Sequence, residues 1–292
     1  MKHKHELAVL LAACGWGVIG LFTRQLGAQG LGSGDILLLR AGGCAVSFAI
    51  ALAVSGVKNF AVRWRDVPLF LAFGVATLFF TYCYYRSIAL ASMSVACTLM
   101  FTAPVFVMVM SVFVFHEKFS RQKLLALILA LGGVTLVSGL VSGGAAFSAL
   151  GALFGLLSGI GYALYNILSK LLSGRGYSVW QINFYGWTIC ALACVAIWGV
   201  QGAAPALADG KGIWLCVVMV IVSGFLPALL YNWALGSMEA SRASMMGTLE
   251  PVVATITGAI AFRESISVTG FLGIVLVLVA VATLNIKPKK AK

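Results

Sequence analysis

Residues 244–262 read SMMGTLEPVVATITGAIAF, an apolar run long enough to cross a bilayer, with an acidic residue and a proline side by side inside it. A carboxylate near the centre of a membrane helix costs about 2.5 to 3.5 kcal/mol, so Glu250 must face a cavity or a protein neighbour rather than lipid. It stands roughly 13 Å from the nearer end of its segment, and no other acidic residue lies so deep in an apolar segment. Ionised, it attracts a cationic amine; as a proton carrier, it couples a solute to a pH gradient. Its structural alternative is to bond a neighbouring hydroxyl or helix end while protonated. Pro251 removes one helix hydrogen bond just beyond it and frees a carbonyl near Gly247. The other charge inside an apolar segment is Arg40, which either snorkels outward to Asp35 or serves as a gate or carboxylate contact.

Polar and aromatic residues recur at helical spacing around these charges. Ser158, Tyr162, Tyr165, Asn166 and Ser169 fall on one face of the segment 149–171, which points to a cavity or a helix neighbour. Gly151, Gly155 and Gly159 form a second row, suited to close backbone approach. Trp16, Gly20 and Thr23 mark a face of the first segment, and both Trp16 and Tyr162 stand near the bilayer centre. Aromatic rings usually sit at the interfaces, so two central ones suggest a sandwich for an apolar or cationic group. Phe79 and Phe80 are further cavity candidates, whereas Tyr82, Tyr84 and Tyr85 read as interfacial belt. Asn232 is set apart from its neighbours Tyr231 and Trp233, because an amide gains nothing from such a belt. Met100, Phe101, Met245 and Met246 flank Pro104 and Pro251, two prolines suited to hinges of a rocking motion. The expected solute contacts are therefore Trp16, Phe79, Phe80, Met100, Tyr162, Tyr165, Asn166, Asn232 and Glu250, with Glu250, Arg40, Pro104 and Pro251 in gating or coupling.

The elements that must hold these residues are membrane helices. The chain has 292 residues, 61% of them hydrophobic and only 10% charged, against roughly 25% charged in a soluble domain. Ten apolar segments are predicted as spans: 7–26, 34–56, 67–86, 92–115, 121–141, 149–171, 178–200, 212–236, 241–262 and 266–286, with Ser142-Gly143-Gly144 separating the fifth from the sixth. The net charge of +12 comes without a basic stripe of interleaved aromatics, so it indicates no nucleic acid. With the N-terminus inside, fifteen Lys and Arg fall on the inner side and four on the outer, which predicts both termini cytoplasmic in a bacterial-type inner membrane. The run behind Met-Lys-His-Lys-His has no cleavage site and is expected to stay as the first helix. The seven cysteines are scattered through apolar runs, which argues against disulfides and metal; Cys190 and Cys194 read as small core residues.

An internal repeat organises the spans. A shift of 147 lays residues 94–120 on 241–267, pairing Pro104 with Pro251, Phe115 with Phe262, Glu117 with Glu264 and Ser120 with Ser267. A shift of 146 lays 15–26 on 161–172, pairing Trp16 with Tyr162 and Arg24 with Lys170. Two five-helix halves follow, 1–146 and 147–292, and an odd helix number turns the second half upside down. Glu117 and Glu264 are expected in turns, and Ser120 and Ser267 as helix caps.

With Leu39-Arg40, the Pro104 to Glu117 spacing, Leu249-Glu250-Pro251-Val252 and Arg263-Glu264 in this order, the chain resembles two EamA domains of the drug/metabolite transporter superfamily. The resemblance implies an all-α membrane protein of ten helices in two inverted repeats, a secondary transporter with both ends cytoplasmic. Members move amino acids, other metabolites or organic cations, often outward, and exporters of aromatic and neutral amino acids are the nearest general match. Gly186, the repeat partner of Arg40, is not basic, so the role of Arg40 is asymmetric. No Gly-rich nucleotide loop is present, and the three histidines (His3, His5 and His116) sit at span ends; a cofactor and an enzyme are not expected. The expected partners are a small-molecule substrate with proton coupling, the bilayer, and at most a weak homodimer. A choline-like cation carrier, and a passive channel or sensor, are the competing readings.

Overall fold

The computed structural model describes residues 2–56, 60–91, 93–138, 148–200, 210–263 and 265–285. The predicted break at Ser142-Gly143-Gly144, the glutamate Glu264, and Lys58, Lys287, Lys289, Lys290 and Lys292 of the charge count lie outside these residues.

The described chain is helical. The first half runs α1 (Lys2–Gly17), α2 (Ile19–Gly27), α3 (Ser33–Ser55), α4 (Val67–Leu90), α5 (Met93–Met100), α6 (Ala103–Phe115) and α7 (Arg121–Val137). The second runs α8 (Ala149–Gly174), α9 (Val179–Trp198), α10 (Gly210–Met219), a π-helical turn (Val220–Phe225), α11 (Leu226–Leu235), α12 (Ala240–Gly247), α13 (Leu249–Phe262) and α14 (Val268–Asn285). Eight helical runs among the described residues are long and apolar enough to cross a membrane, from His3–Gly27 to Ala240–Phe262. The predicted fifth and tenth spans are the shorter α7 and α14, of 17 and 18 residues.

Local chemistry fixes the ends. Ser120, Ser148, Ser178 and Ser267 each accept a hydrogen bond from a backbone N–H three residues on, and so cap α7, α8, α9 and α14. The repeat is visible in the backbone. α5 and α12 each end at a break, and α6 and α13 restart with Pro104 and Pro251 in their first turn, where a missing N–H costs no helix bond. At each break the threonine turns back on the preceding helix: Thr102 and Thr248 donate both N–H and hydroxyl to the carbonyls of Leu99 and Met245, the hydroxyls each at 2.6 Å. α6 and α13 end on His116 and Arg263, at φ 53° and 55°, the two left-handed residues other than glycine among those described.

Packing follows the same exchange. α4 lies along α8 as α1 lies along α11, and α6 meets α8 as α13 meets α1. α3 pairs with α9, and α7 with α14. The last pair touches backbone to backbone: a Cβ on Gly133 would stand 2.9 Å from Gly273 O, and one on Gly273 would stand 2.6 Å from Gly133 O. The α8 glycine row takes α5 in the same manner, with Gly159 against Leu99 O and Met100 O.

Two departures from helical regularity have no counterpart in the other half. The first span breaks at Val18, between α1 and α2, without a proline. The eighth carries the π turn, and Pro227 follows it. Pro227 lacks the N–H that an α-helix would direct to Ser223 O, and that carbonyl instead accepts a bond from Arg40 Nη2 at 2.7 Å.

Candidate functional site

Between the halves lies a cavity of about 410 Å³, in the range of small-molecule sites. α1, α2, α3, α4, α5, α8, α9 and α13 contribute to its wall, and residues beside the breaks at Val18, between α5 and α6 and between α12 and α13 line it. Its deep end is aromatic: Trp16, Phe80, Tyr162 and Tyr165. From there it reaches Gly27 and Ser33, which are exposed at the turn joining α2 to α3. That end lies a full span away from the N-terminus.

Glu250 is the acidic residue of the lining and Arg40 the basic one. Glu250 occupies the first turn of α13, where free N–H groups favour a negative charge. Its neighbour across the break is α1: a Cβ on Gly17 would stand 2.8 Å from Glu250 O, so only glycine admits this approach. Arg40 does not snorkel to Asp35. Asp35 instead accepts from Gly32 N at 3.0 Å and caps α3, while the Arg40 guanidinium turns inward, 5.5 Å from the Trp187 ring.

The expected solute contacts divide in two. Trp16, Phe80, Met100, Tyr162, Tyr165, Glu250, Arg40 and Pro251 line the cavity. Phe79 does not; it is 37% exposed on the outside of α4, one residue and about 100° of helical turn from Phe80. Pro104 is buried in the packing of α6. Asn166 and Asn232 lie beneath the floor in a closed hydrogen-bond network. Asn166 Nδ2 donates to Tyr162 O (2.7 Å), and Tyr231 OH donates to Asn166 Oδ1 (2.5 Å). Asn232 Nδ2 donates to Tyr165 OH and to Asn183 Oδ1, both at 2.8 Å, and Ser169 Oγ donates to Asn232 Oδ1 at 2.6 Å. The network fixes Tyr165 from below, as the burial of so many amides requires. Trp16 and Tyr162 do not stack on each other: Trp16 packs on Tyr231 at 5.1 Å, and Tyr162 on Phe80 at 5.3 Å.

Sequence reasoning missed Thr77, Thr81, Tyr84, Tyr85 and Ile88, all of which line the cavity from α4. Their spacing of 4, 3, 1 and 3 was the available signal; it is the same interval pattern as the α8 stripe. Tyr84 and Tyr85 are thus cavity wall rather than interfacial belt.

The end nearer the N-terminus is closed by charge. Glu117 accepts from Lys170 Nζ (2.9 Å), Ala240 N (2.7 Å), and Ser241 Oγ (2.5 Å) and N (3.3 Å). The glutamate expected in a mere turn therefore caps α12 and joins it to α6 and α8. Lys123 adds ion pairs to Glu117 (3.8 Å) and Glu239 (3.1 Å), and Arg242 reaches Glu6 at 2.6 Å. Nearby, Asp66 accepts from Tyr177 OH (2.7 Å), Arg63 (2.8 Å) and Arg175. Burial pushes the Glu117 carboxyl up, but the Ser241 hydroxyl, Lys170 and the Ala240 N–H outweigh it and hold the group below the usual carboxylate range. Lys170 also lies over the Phe115 ring at 4.9 Å; its repeat partner Arg24 lies over Phe262 at 4.4 Å, at the opposite end.

Comparison with known proteins agrees with this architecture. The EamA-like transporter family matches residues 3–139 and again 149–286. An uncharacterized transporter of Archaeoglobus fulgidus is 26% identical over 279 residues, 94% of each chain. The uncharacterized transporter sll1319 of Synechocystis sp. is 30% identical over 251 residues, 80% of this chain and 75% of that protein. A solved crystal structure shares the fold with a TM-score of 0.81 over 97% of this chain and 96% of its own, at 15% identity. The matched family and these relatives are named transporters, not enzymes. The chain belongs to the EamA-like transporter family.

Proposed function

We propose that the protein is a secondary active transporter that moves small organic solutes by alternating access, and that it exports an amino acid or related metabolite with proton coupling through Glu250. The observation that carries this reading is the asymmetry of the two ends: the cavity reaches the exposed Ser33, while the opposite end holds a separate recess of about 810 Å³ that shares no lining residue with it, beside the ion pairs of Glu117, Lys170, Lys123 and Arg242. A carrier caught with one side open has this form. The helix breaks at repeat-related places supply the hinges, and exchange of the two arrangements moves the opening to the other end. On this reading the closed end and both termini are cytoplasmic, in an inner membrane, the second half is inverted relative to the first, and the protein works as a monomer or weak homodimer.

Two measurements test it. In a Cys-free background, a cysteine at position 120 is expected to label from the cytoplasmic side and one at 267 from the outside; labelling of both from one side removes the inverted repeat. In proteoliposomes, counterflow is expected to saturate, which separates a carrier from a channel. Trp16→Ala and Tyr162→Ala are each expected to weaken solute binding about fivefold, since an aromatic contact contributes about 1 kcal/mol beyond its buried area. Normal counterflow in both variants would remove the aromatic floor from the site.

A further inference from the structure

Arg40 is held in place and left short of partners. One of its nitrogens is spent on Ser223 O, the carbonyl that Pro227 leaves without its α-helical N–H. Its Nε is sealed from solvent with no acceptor, and no carboxylate of a described residue lies within 4 Å of the guanidinium. The adjoining Ser223 Oγ is likewise sealed and unpartnered. Space beside the arginine is kept by Gly224, where a Cβ would stand 2.4 Å from Cys44 Sγ and 3.6 Å from Arg40 Cγ. A guanidinium carries five N–H donors, and its charge away from bulk water is costly until an anion meets it. The contact to Ser223 O fixes the plane of the group, and the rest of the fork stands in the wall of the cavity.

We propose that Arg40 reads the carboxylate of the transported solute, so that the solute is a zwitterion with an apolar body rather than a plain organic cation. The inference rests on the transport reading and adds the substrate class. The carboxylate takes the open face of the fork, where two parallel N–H···O bonds are available. The ammonium group is taken by Glu250, and the apolar body lies against Trp16 and Phe80. A monocation such as choline would pair with Glu250 alone and leave the Arg40 fork without a carboxylate.

The test is a binding titration of the purified protein, read by thermal shift, with L-phenylalanine and L-leucine, their amides, and choline. The wild type is expected to bind the acids at least tenfold more tightly than the amides. Arg40→Gln is expected to bring that ratio close to one by weakening the acids and leaving the amides as they were. Arg40→Lys, which keeps the charge and loses the fork, is expected to retain part of the preference and serves if the Gln variant does not fold. Equal binding of acids and amides by the wild type, an undiminished preference in Arg40→Gln, or binding of choline or the amides in place of the acids overturns the inference while leaving transport intact. Absence of binding by all five compounds overturns both the inference and the amino-acid reading beneath it.

Discussion

Glu117→Ala is expected to lower the stability of the protein by about 3 kcal/mol, because removing one partner of a buried charge pair strands the other. It would leave the Lys170 ammonium with the Met238 carbonyl but no carboxylate, and the Ser241 hydroxyl and two N–H groups at the start of α12 without their acceptor. In thermal unfolding of the detergent-solubilised protein this corresponds to a drop of roughly 6 to 12 °C. The closed end should loosen as well: a cysteine introduced at Ser169, now fully buried above the lock, should react with a water-soluble maleimide several-fold faster than in the parent. A pH dependence accompanies this. The folded-state affinity of Glu117 for a proton is lowered, so its contribution is present above the unfolded carboxylate value and is lost as pH falls through the folded one, from about pH 4 downward. An unchanged melting temperature together with an unreactive cysteine would reduce Glu117 to a surface turn.

Glu250→Gln is expected to keep the fold and abolish gradient-driven transport. The substitution preserves shape, and no described group donates to or pairs with this carboxylate in the hydrogen bonds and ion pairs of the structure, so nothing is stranded by losing its charge. Flux into liposomes against an imposed pH gradient should fall at least tenfold, to the level without a gradient. Counterflow, which needs only the binding site and the rocking motion, should survive with reduced affinity for a solute carrying an amine. Unaltered gradient-driven flux would show that Glu250 does not couple protons. Loss of folded protein would instead mark it as a structural residue of the α12–α13 break.

Much of the frame was legible because hydrophobicity and proline act locally. The spans follow from apolar runs, and the breaks in the fourth and ninth follow from Pro104 and Pro251, which cannot sit in mid-helix without a lost bond. The break at Val18 carries no such mark; it depends on Gly15 and Gly17 fitting against Val222 O and Glu250 O, contacts made by spans more than two hundred residues on. The aromatic floor was legible from the midplane depth of Trp16 and Tyr162, but the choice between Phe79 and Phe80 was not, since depth says nothing about which side of α4 faces inward. Asn166 and Asn232 read as cavity residues because lipid forbids unpaired amides, a condition their mutual network satisfies equally well. The inward turn of Arg40 was out of reach for a related reason: its anchor is a carbonyl freed by a proline 187 positions away in sequence.

The π turn at Val220–Phe225 bears on how the two halves came to differ. The first spans match at an offset of 146 and the fourth and ninth at 147, so the second half has gained one residue between them relative to the first. A π turn, whose bonds run from i to i+5, holds about one residue more than the α turn it replaces, so a single inserted residue fits within a span of unchanged length. The same turn precedes Pro227 and presents Ser223 O to Arg40, whose own repeat partner is Gly186. The two differences meet at one contact: one half supplies the guanidinium and the other the carbonyl that orients it, so deleting one residue from 220–225 is expected to remove that contact while leaving Arg40 in place.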